Sequence, residues 1–488
     1  MASITSSSSG RSSSAAANVV LPYRMHVSQR YLDLTRKKLD LTRLPREPRS
    51  RQAAPWGFGV AKTDLEPIID HWTEEYDWRT REAHYNDTLP QYRVVIQGIR
   101  LHYVHKRSMS PNAMPIIFCH GFPESFIGIS HMMEGLTNPL STPTTGSENL
   151  PSFHVVVPSI PGFGFSDMVA EEGNNIASTA ELFDALMKSL GYPRYIATGS
   201  GWGLNICRLM ALTHGESCMA IHTANPDLPD PRYAHMQQPL SMPASPTSYS
   251  PPQTPGAQPV TLERPQTVAY ALCDSPTGLM AHVYDAISPS CPGENNNNNS
   301  PISTKSSSGG GGGDEDFHDT PCWTPTTLID WCMLYWLPGP EVALRWLMNS
   351  APMIPKLWRS HCPVPLAISH FSDPHNTSGG TQWAESYHHI ALISRRSAVV
   401  VGGGGGGSRG ARGTGNASSQ VRFAAWERPA EMVADIRALA CYIAPVFWGG
   451  FSPLPSPGAR QQQQIVVPSN MPPPPTTMGS MGRVGGGY

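Results

Sequence analysis

Two periods alternate along this chain, and each change of period marks an element. VSQRYLDLTRKKLDLTRLP spaces its apolar residues as an amphipathic helix does, with Ser28 at the N-cap position and Pro45 beyond the end. Residues 65–83, rich in Trp and Glu, predict a second and a third helix. RVVIQGIRLHYVHKRS then predicts two strands about a turn at Gly98. MPIIFCHG and FHVVVPSIPGFG each run from a buried-type strand into a glycine loop. ASTAELFDALMKSLG reads as a helix and RYIAT as the strand after it. Strands alternating with helices predict an α/β domain with a parallel sheet.

The pattern breaks in five places. Residues 1–18 are Ser/Ala-rich, 236–259 Pro/Ser/Gln-rich, 288–316 carries NNNNN and GGGGG, 402–419 is Gly/Ser-rich, and 449–488 is a Pro/Gln/Gly tail. None offers the apolar area that offsets ordering entropy, so all five are expected to be disordered. The inner three read as surface insertions, because long loops add little closure entropy.

Composition narrows the function classes. The 488 residues suffice for a large core and more than one folded unit. Lys and Arg total 35 against 37 Asp and Glu, so no basic face points to nucleic acid. Nine scattered cysteines, an odd number with no CxxC pair, argue against a disulfide framework and a structural zinc. No metal or cofactor is expected, and a reducing, cytoplasmic setting is. No stretch approaches the roughly 18 unbroken apolar residues of a membrane span. The first 18 residues lack the basic end and long apolar core of a secretory signal. Their Ser/Ala content with Arg11 is only weakly like a transit peptide, and they read as a leader.

The stretch with most chemical meaning is TGSGWG, residues 198–203. A short strand, a glycine turn and a helix-like run form the elbow on which many hydrolases hold a nucleophile. In its small-x-tip-x-small pattern the small residues are Gly199 and Gly203, which leaves Gly201 at the tip without a side chain. Reading Ser200 as the tip instead would require Thr198 and Trp202 to be the small residues, and Trp202 is not.

Further motifs stand around the elbow in a consistent order: WTEEYDWRTREAHYNDTLPQYRVVIQGIRLHYVHKRS (72–108), HGFPES (120–125), VVVPSIPGFGFSD (155–167), RPQTVAYALCDSPTGLMA (264–281) and FAAWERPAEMVADIRAL (423–439). Together they resemble the epoxide hydrolases of microsomal type, within the α/β-hydrolase fold. That resemblance implies a mostly parallel sheet flanked by helices, a helical lid and an N-terminal segment wrapped around the core. It divides the chain into an N-terminal segment (19–110), the first half of the core (111–226), the lid (227–360) and the second half of the core (361–448).

The family chemistry needs a carboxylate that opens the epoxide and forms an ester, and two lid tyrosines that hydrogen-bond the ring oxygen. It also needs an acid-held histidine that activates water, and backbone N–H groups as an oxyanion hole. The resemblance places the oxyanion loop at His120 and Gly121, with the amides of Phe122 and Trp202 directed into the site. Gly201 takes the nucleophile position and Arg422 the base position. Arginine stays protonated and cannot abstract a proton. Leu347 takes the place of one lid tyrosine, and Tyr249 is the nearest residue to the other. In FSDPH the acid position falls on Pro374, with Asp373 one residue early. His388 and His389, in the helix-like TQWAESYHHIALI, are the substitute bases to consider.

The leading expectation is a hydrolase fold kept with its chemistry lost, the pocket surviving for a small apolar or epoxide-like molecule. Arg422 would pair with a ligand carboxylate if it points inward. The alternative is an active hydrolase that uses Glu124 or Asp373 to activate water, although a carboxylate at position 124 is more commonly a loop anchor. One base change each converts an Asp codon to Gly and a His codon to Arg.

Overall fold

The structure, a computed structural model, describes residues 19–47, 59–139, 150–170, 173–231, 264–287, 323–372, 380–397 and 421–448. The five low-complexity segments, Tyr249 and Asp373 lie outside the described residues.

Among the described residues nine strands form one sheet: β1 (Leu21–Tyr23), β2 (Gln91–Ile96), β3 (Ile99–Lys106), β4 (Met114–Phe118), β5 (Phe153–Pro158), β6 (Tyr195–Thr198), β7 (Cys218–Ala224), β8 (Cys362–Ser372) and β9 (His388–Ser397). Their order is β1-β2-β3-β5-β4-β6-β7-β8-β9. The first three strands pair antiparallel, and β3 is antiparallel to β5. From β5 to β9 every pairing is parallel. The β2–β3 hairpin closes through Gln97 and Gly98, both at positive φ (51° and 82°), the two-residue turn whose twist matches its strands.

The order reverses at β4. The chain steps from β4 outward to β5, then returns to place β6 on the other flank of β4. Right-handed crossovers therefore put the helix after β4, Ser130–Thr137, on one face of the sheet. The helices Ile176–Ser189 and Trp202–Thr213 lie on the other. Ser130–Thr137 packs with the last helix, Pro429–Trp448, and Ile176–Ser189 packs with Trp202–Thr213. Open α/β sheets bind ligands at such a reversal, outside the carboxyl ends of the strands. The loops after β4 and β6 are HGFP and the glycine elbow, so topology brings those two motifs together.

Among the described residues, four longer helices enter between β7 and β8, Pro265–Asp274, Pro276–Ile287, Pro325–Trp336 and Glu341–Ser350, followed by the short Ile354–Leu357. The N-terminal segment grips them. Its helices Gln29–Asp40 and Lys62–Glu74 pack on Pro276–Ile287 and Pro325–Trp336 respectively. Trp336 Nε1 donates to Thr35 Oγ1 at 2.7 Å, Thr42 and Thr277 share a hydroxyl hydrogen bond of 2.9 Å, and Lys38 pairs with Asp274. The main tie is Asp330, fully buried, which accepts from Tyr76 Oη (2.9 Å), Tyr85 Oη (2.6 Å) and Arg81 Nε (2.8 Å). The same segment supplies β1 to the sheet edge, and buried apolar side chains from Met25 to Phe447 form one contiguous core.

Two local expectations are corrected. Ser28 stands at the N-cap of Gln29–Asp40, but its side chain makes no capping hydrogen bond. Within the stretch 381–393 only Ala384–Tyr387 is α-helical, and His388 begins β9. A parallel ladder with β8 supplies backbone hydrogen bonds along the strand, and this tertiary pairing overrides local helix propensity. Among the described residues no helix is long and apolar enough to cross a membrane.

Candidate active site

The elbow is built by close packing. β6 is buried throughout, and Cys119 N donates to Thr198 O at 2.8 Å, which holds the ends of β4 and β6 side by side. A Cβ on Gly199 would lie 2.5 Å from the Cys119 carbonyl oxygen, and one on Gly203 only 1.9 Å from it. Neither position admits a side chain unless the backbone moves. Gly201 differs: its φ of 55° and ψ of −117° make the sharp turn into Trp202–Thr213, and a Cβ there would meet nothing within 4 Å. The crowding thus selects the frame with Gly201 at the tip. Ser200 sits one residue off, and its Oγ accepts from Ala224 N at 3.2 Å, on the β7 side.

The HGFP loop leans on this turn. A Cβ on Gly121 would lie 3.5 Å from both Ser200 O and Trp202 N. His120, fully buried, donates from Nδ1 to Gly121 O at 3.0 Å and accepts at Nε2 from Ile160 N at 3.1 Å, joining the loops after β4 and β5. Burial lowers its pKa to about 4, so it is a neutral brace. The N–H groups of Phe122 and Trp202 have no acceptor among the described residues.

Glu124 is buried, and its carboxyl accepts from Gly121 N at 3.1 Å. Its geometry is that of a loop anchor. Burial pushes its pKa up to about 8, against the opposing pull of the Gly121 N–H. An unfolded glutamate titrates near 4.5. Between those values the folded chain keeps a proton that the unfolded chain has lost, so this group's contribution to stability falls as pH rises from about 4.5 to about 8. Glu124→Gln, which still accepts from Gly121, is expected to remove that part of the slope. Urea unfolding at about pH 5.5 and about pH 8.5 measures it, and an unchanged slope contradicts the assignment.

An aromatic wall runs from the elbow to the inserted helices. Trp202 meets Trp346 (5.5 Å between rings), Trp346 meets Phe163 (5.6 Å), Phe163 meets Tyr335 (5.9 Å), Tyr335 meets Phe122 (5.1 Å) and Phe122 meets His282 (5.8 Å). Tyr335 Oη donates to Glu124 O at 2.6 Å. Leu347 is buried beside Trp346 on the same helix. Tyr335, Phe163, Trp346 and His282 were not singled out from sequence. Their only signal is an aromatic or histidine within an apolar run, which more often marks core.

Arg422 is exposed. Its loop is nevertheless tied to the carboxyl edge of the sheet. Asn225, just past β7, donates to Val421 O at 2.7 Å and accepts from Phe371 N at 2.8 Å, next to the Ala224 N–H that holds Ser200. The Arg422 guanidinium lies in the fields of Asp285 and Glu427, and Asp285 shares the helix that brings His282 to Phe122. Its charge therefore already faces two acids.

The substitute bases are placed elsewhere. Arg208, fully buried, donates to His388 Nε2 and to the carbonyls of Leu357 (3.2 Å), Tyr387 (3.2 Å) and Ser360. Burial and then the adjacent Arg208 lower the His388 pKa to about 3, so His388 serves as a neutral acceptor. His389 bonds Tyr442 Oη at 2.9 Å. A buried chain missed in the sequence runs under the elbow. Thr198 Oγ1 lies 3.0 Å from His222 Nδ1, His222 Nε2 lies 3.0 Å from Ser369 Oγ, and Ser369 donates to Asp435 at 2.6 Å. Serine intervenes between histidine and acid and every member is buried, so this is a structural bridge rather than a nucleophile triad. Among the described residues no group of three His, Cys, Asp or Glu side chains could hold a metal.

Comparison with known proteins agrees with this architecture. Residues 20–129 match the family described as epoxide hydrolase N terminus, and residues 114–266 match alpha/beta hydrolase fold. A Stigmatella aurantiaca protein assigned as an epoxide hydrolase is 33 % identical over 276 residues, 54 % of this chain and 59 % of its own length. Juvenile hormone epoxide hydrolase 1 of Ctenocephalides felis is 28 % identical over 293 residues, 55 % of this chain and 60 % of its own length. The chain thus spans about three fifths of the length of the relatives it matches. The Aspergillus niger epoxide hydrolase structure superposes with a TM-score of 0.60 at 22 % identity, covering 89 % of this chain and 98 % of that one. Both sequence models and the fold agree: the chain joins an epoxide hydrolase N-terminal segment to an α/β-hydrolase fold, and over that span it is similar to epoxide hydrolases.

Proposed function

We propose that this chain is an epoxide hydrolase-like protein without epoxide hydrolysis, whose pocket binds a small apolar or epoxide-like molecule. One observation carries the reading: the elbow keeps its geometry while its tip, Gly201, has an open Cβ direction and no side chain to attack carbon. The other departures point the same way. Arg422 at the base position cannot accept a proton, and Leu347 at a tyrosine position cannot donate to a ring oxygen. His388 is engaged by Arg208, and Glu124 is held by its own loop. Groups of this kind act as a unit, so losing several leaves only weak residual effects. What supports binding is the pair of N–H groups at Phe122 and Trp202, without an acceptor among the described residues and set beside the aromatic wall. A cytoplasmic location belongs to the same proposal.

The wild-type chain is expected to form no diol from styrene oxide or stilbene oxide above the buffer rate, while the epoxide quenches tryptophan fluorescence saturably. Turnover by wild type above background would overturn the proposal and turn attention to Glu124 and Asp373.

A further inference from the structure

A cavity lies at the edge of the sheet opposite the elbow. β3 runs antiparallel to β5, so its end, His105 and Lys106, pairs with Val156 and Val155 near the start of β5. That is the amino edge of the parallel strands, whereas the elbow lies at their carboxyl edge. The cavity there has a volume of about 580 Å³ and is lined by Tyr92, Tyr103, His105, Arg107 and Leu190 among others. Small-molecule sites typically span about 300–1,000 Å³.

Its chemistry follows from strand alternation. Tyr103 and His105 share a face of β3, and Tyr92 lies directly across from Tyr103 on β2. The Tyr92 and Tyr103 rings stack at 5.7 Å, and His105 stands 6.3 Å from each. Two features are unfinished. Tyr103 is fully buried, and its hydroxyl has no hydrogen-bond partner. Such a group is destabilising unless something answers it. Lys106 is paired with Glu134 at 2.7 Å, but Arg107, exposed at the rim, makes no ion pair with a carboxylate among the described residues. His105 adds no charge of its own: burial, then Arg107 and His154, lowers its pKa to about 4, and its Nε2 lies 3.0 Å from Tyr192 Oη.

We propose that this cavity is a second ligand site, for an aromatic carboxylate whose ring lies against Tyr92 and His105. Its carboxylate meets Arg107, and the ligand edge reaches the Tyr103 hydroxyl, buried in the free chain, as the stacked Tyr92 ring shifts aside. Planar apolar walls select the ring, a rim guanidinium that hydrogen-bonds Tyr192 but faces no carboxylate among the described residues selects the anion, and the unpartnered phenol supplies a donor beneath.

The probe is 1-naphthoate, titrated calorimetrically into the full chain, with 1-naphthalenemethanol as the neutral counterpart. Wild type is expected to bind naphthoate at least about tenfold more tightly than the alcohol, with binding weakened by salt. Arg107→Ala is expected to weaken naphthoate about tenfold and Tyr103→Phe about fivefold, while Arg422→Ala changes nothing. Tyr103→Phe removes a hydroxyl with no partner in the free chain, so its melting temperature without ligand should hold or rise. Absence of naphthoate binding, or affinity unmoved by Arg107→Ala and Tyr103→Phe, overturns the proposal. Loss of binding in Arg422→Ala would relocate the ligand to the elbow site and overturn it equally.

Discussion

Gly201→Asp is expected to turn the chain into a stoichiometric trap for epoxides. Incubated with styrene oxide, the variant should gain the mass of one epoxide, and peptide mapping should place it on the segment around residue 201. A Cβ at this position meets open space, so the new carboxylate has room. The positive φ there imposes a strain of about 1–3 kcal/mol, which the surrounding packing must hold. Carboxylate oxygen then forms an ester bond to the epoxide carbon as the ring C–O bond breaks, and the alkoxide takes a proton from solvent or a nearby donor. On the proposed assignment of Arg422 to the base position the ester persists, because arginine cannot deprotonate water. Adding Arg422→His should release it as diol, since a positioned general base contributes about 10²–10⁴-fold. Leu347→Tyr is the riskier addition: Leu347 is buried, and extra volume in a packed core costs about 1–3 kcal/mol. A folded Gly201→Asp variant that never acquires the adduct would refute the assignment of Gly201 as the tip facing the epoxide.

The largest loss of stability is expected from Asp330→Ala. Asp330 is fully buried, and its oxygens hold Tyr76, Tyr85 and Arg81. Burial alone would lower the Arg81 pKa, but hydrogen bonding and the field of Asp330 raise it above its ordinary value. Removing the anion leaves a largely buried cation and two phenols without their acceptor. Breaking a buried pair from one side costs about 3–5 kcal/mol. Asp330→Asn keeps an acceptor without the charge and should lie between Ala and wild type. Thermal unfolding followed by circular dichroism distinguishes them. A shift no larger than that of an exposed-site control would mean that the N-terminal segment and the inserted helices do not depend on this tie.

Much of the fold was legible because its signals are local. The hairpin at Gln97–Gly98, the strand within RYIAT and the helix read from ASTAELFDALMKSLG are each set by residues within a few positions of one another. The elbow was legible for a similar reason: glycines two before and two after a position announce close packing before the packing partner is known. Its meaning was equally local, since a glycine at the tip has no chemistry in any fold.

Other features depend on partners far along the chain. His388 looked available as a base on a helix, yet it lies in β9 and accepts from Arg208, 180 residues away. Glu124 looked like a pocket acid, but burial and the Gly121 N–H make it an anchor that holds its proton. Arg422 looked like a cation in search of a ligand, whereas Asp285 and Glu427 already face it. Sequence by itself determined the resemblance to epoxide hydrolases, the order of the strands' loops and the glycine spacing around position 201, because those rest on residue identity and short-range spacing. Only tertiary structure decided which face each loop shares, which titratable groups are already satisfied and where a cavity opens at the amino edge of the sheet. Burial and hydrogen-bond partnership arise from packing between distant segments, and no single segment carries them.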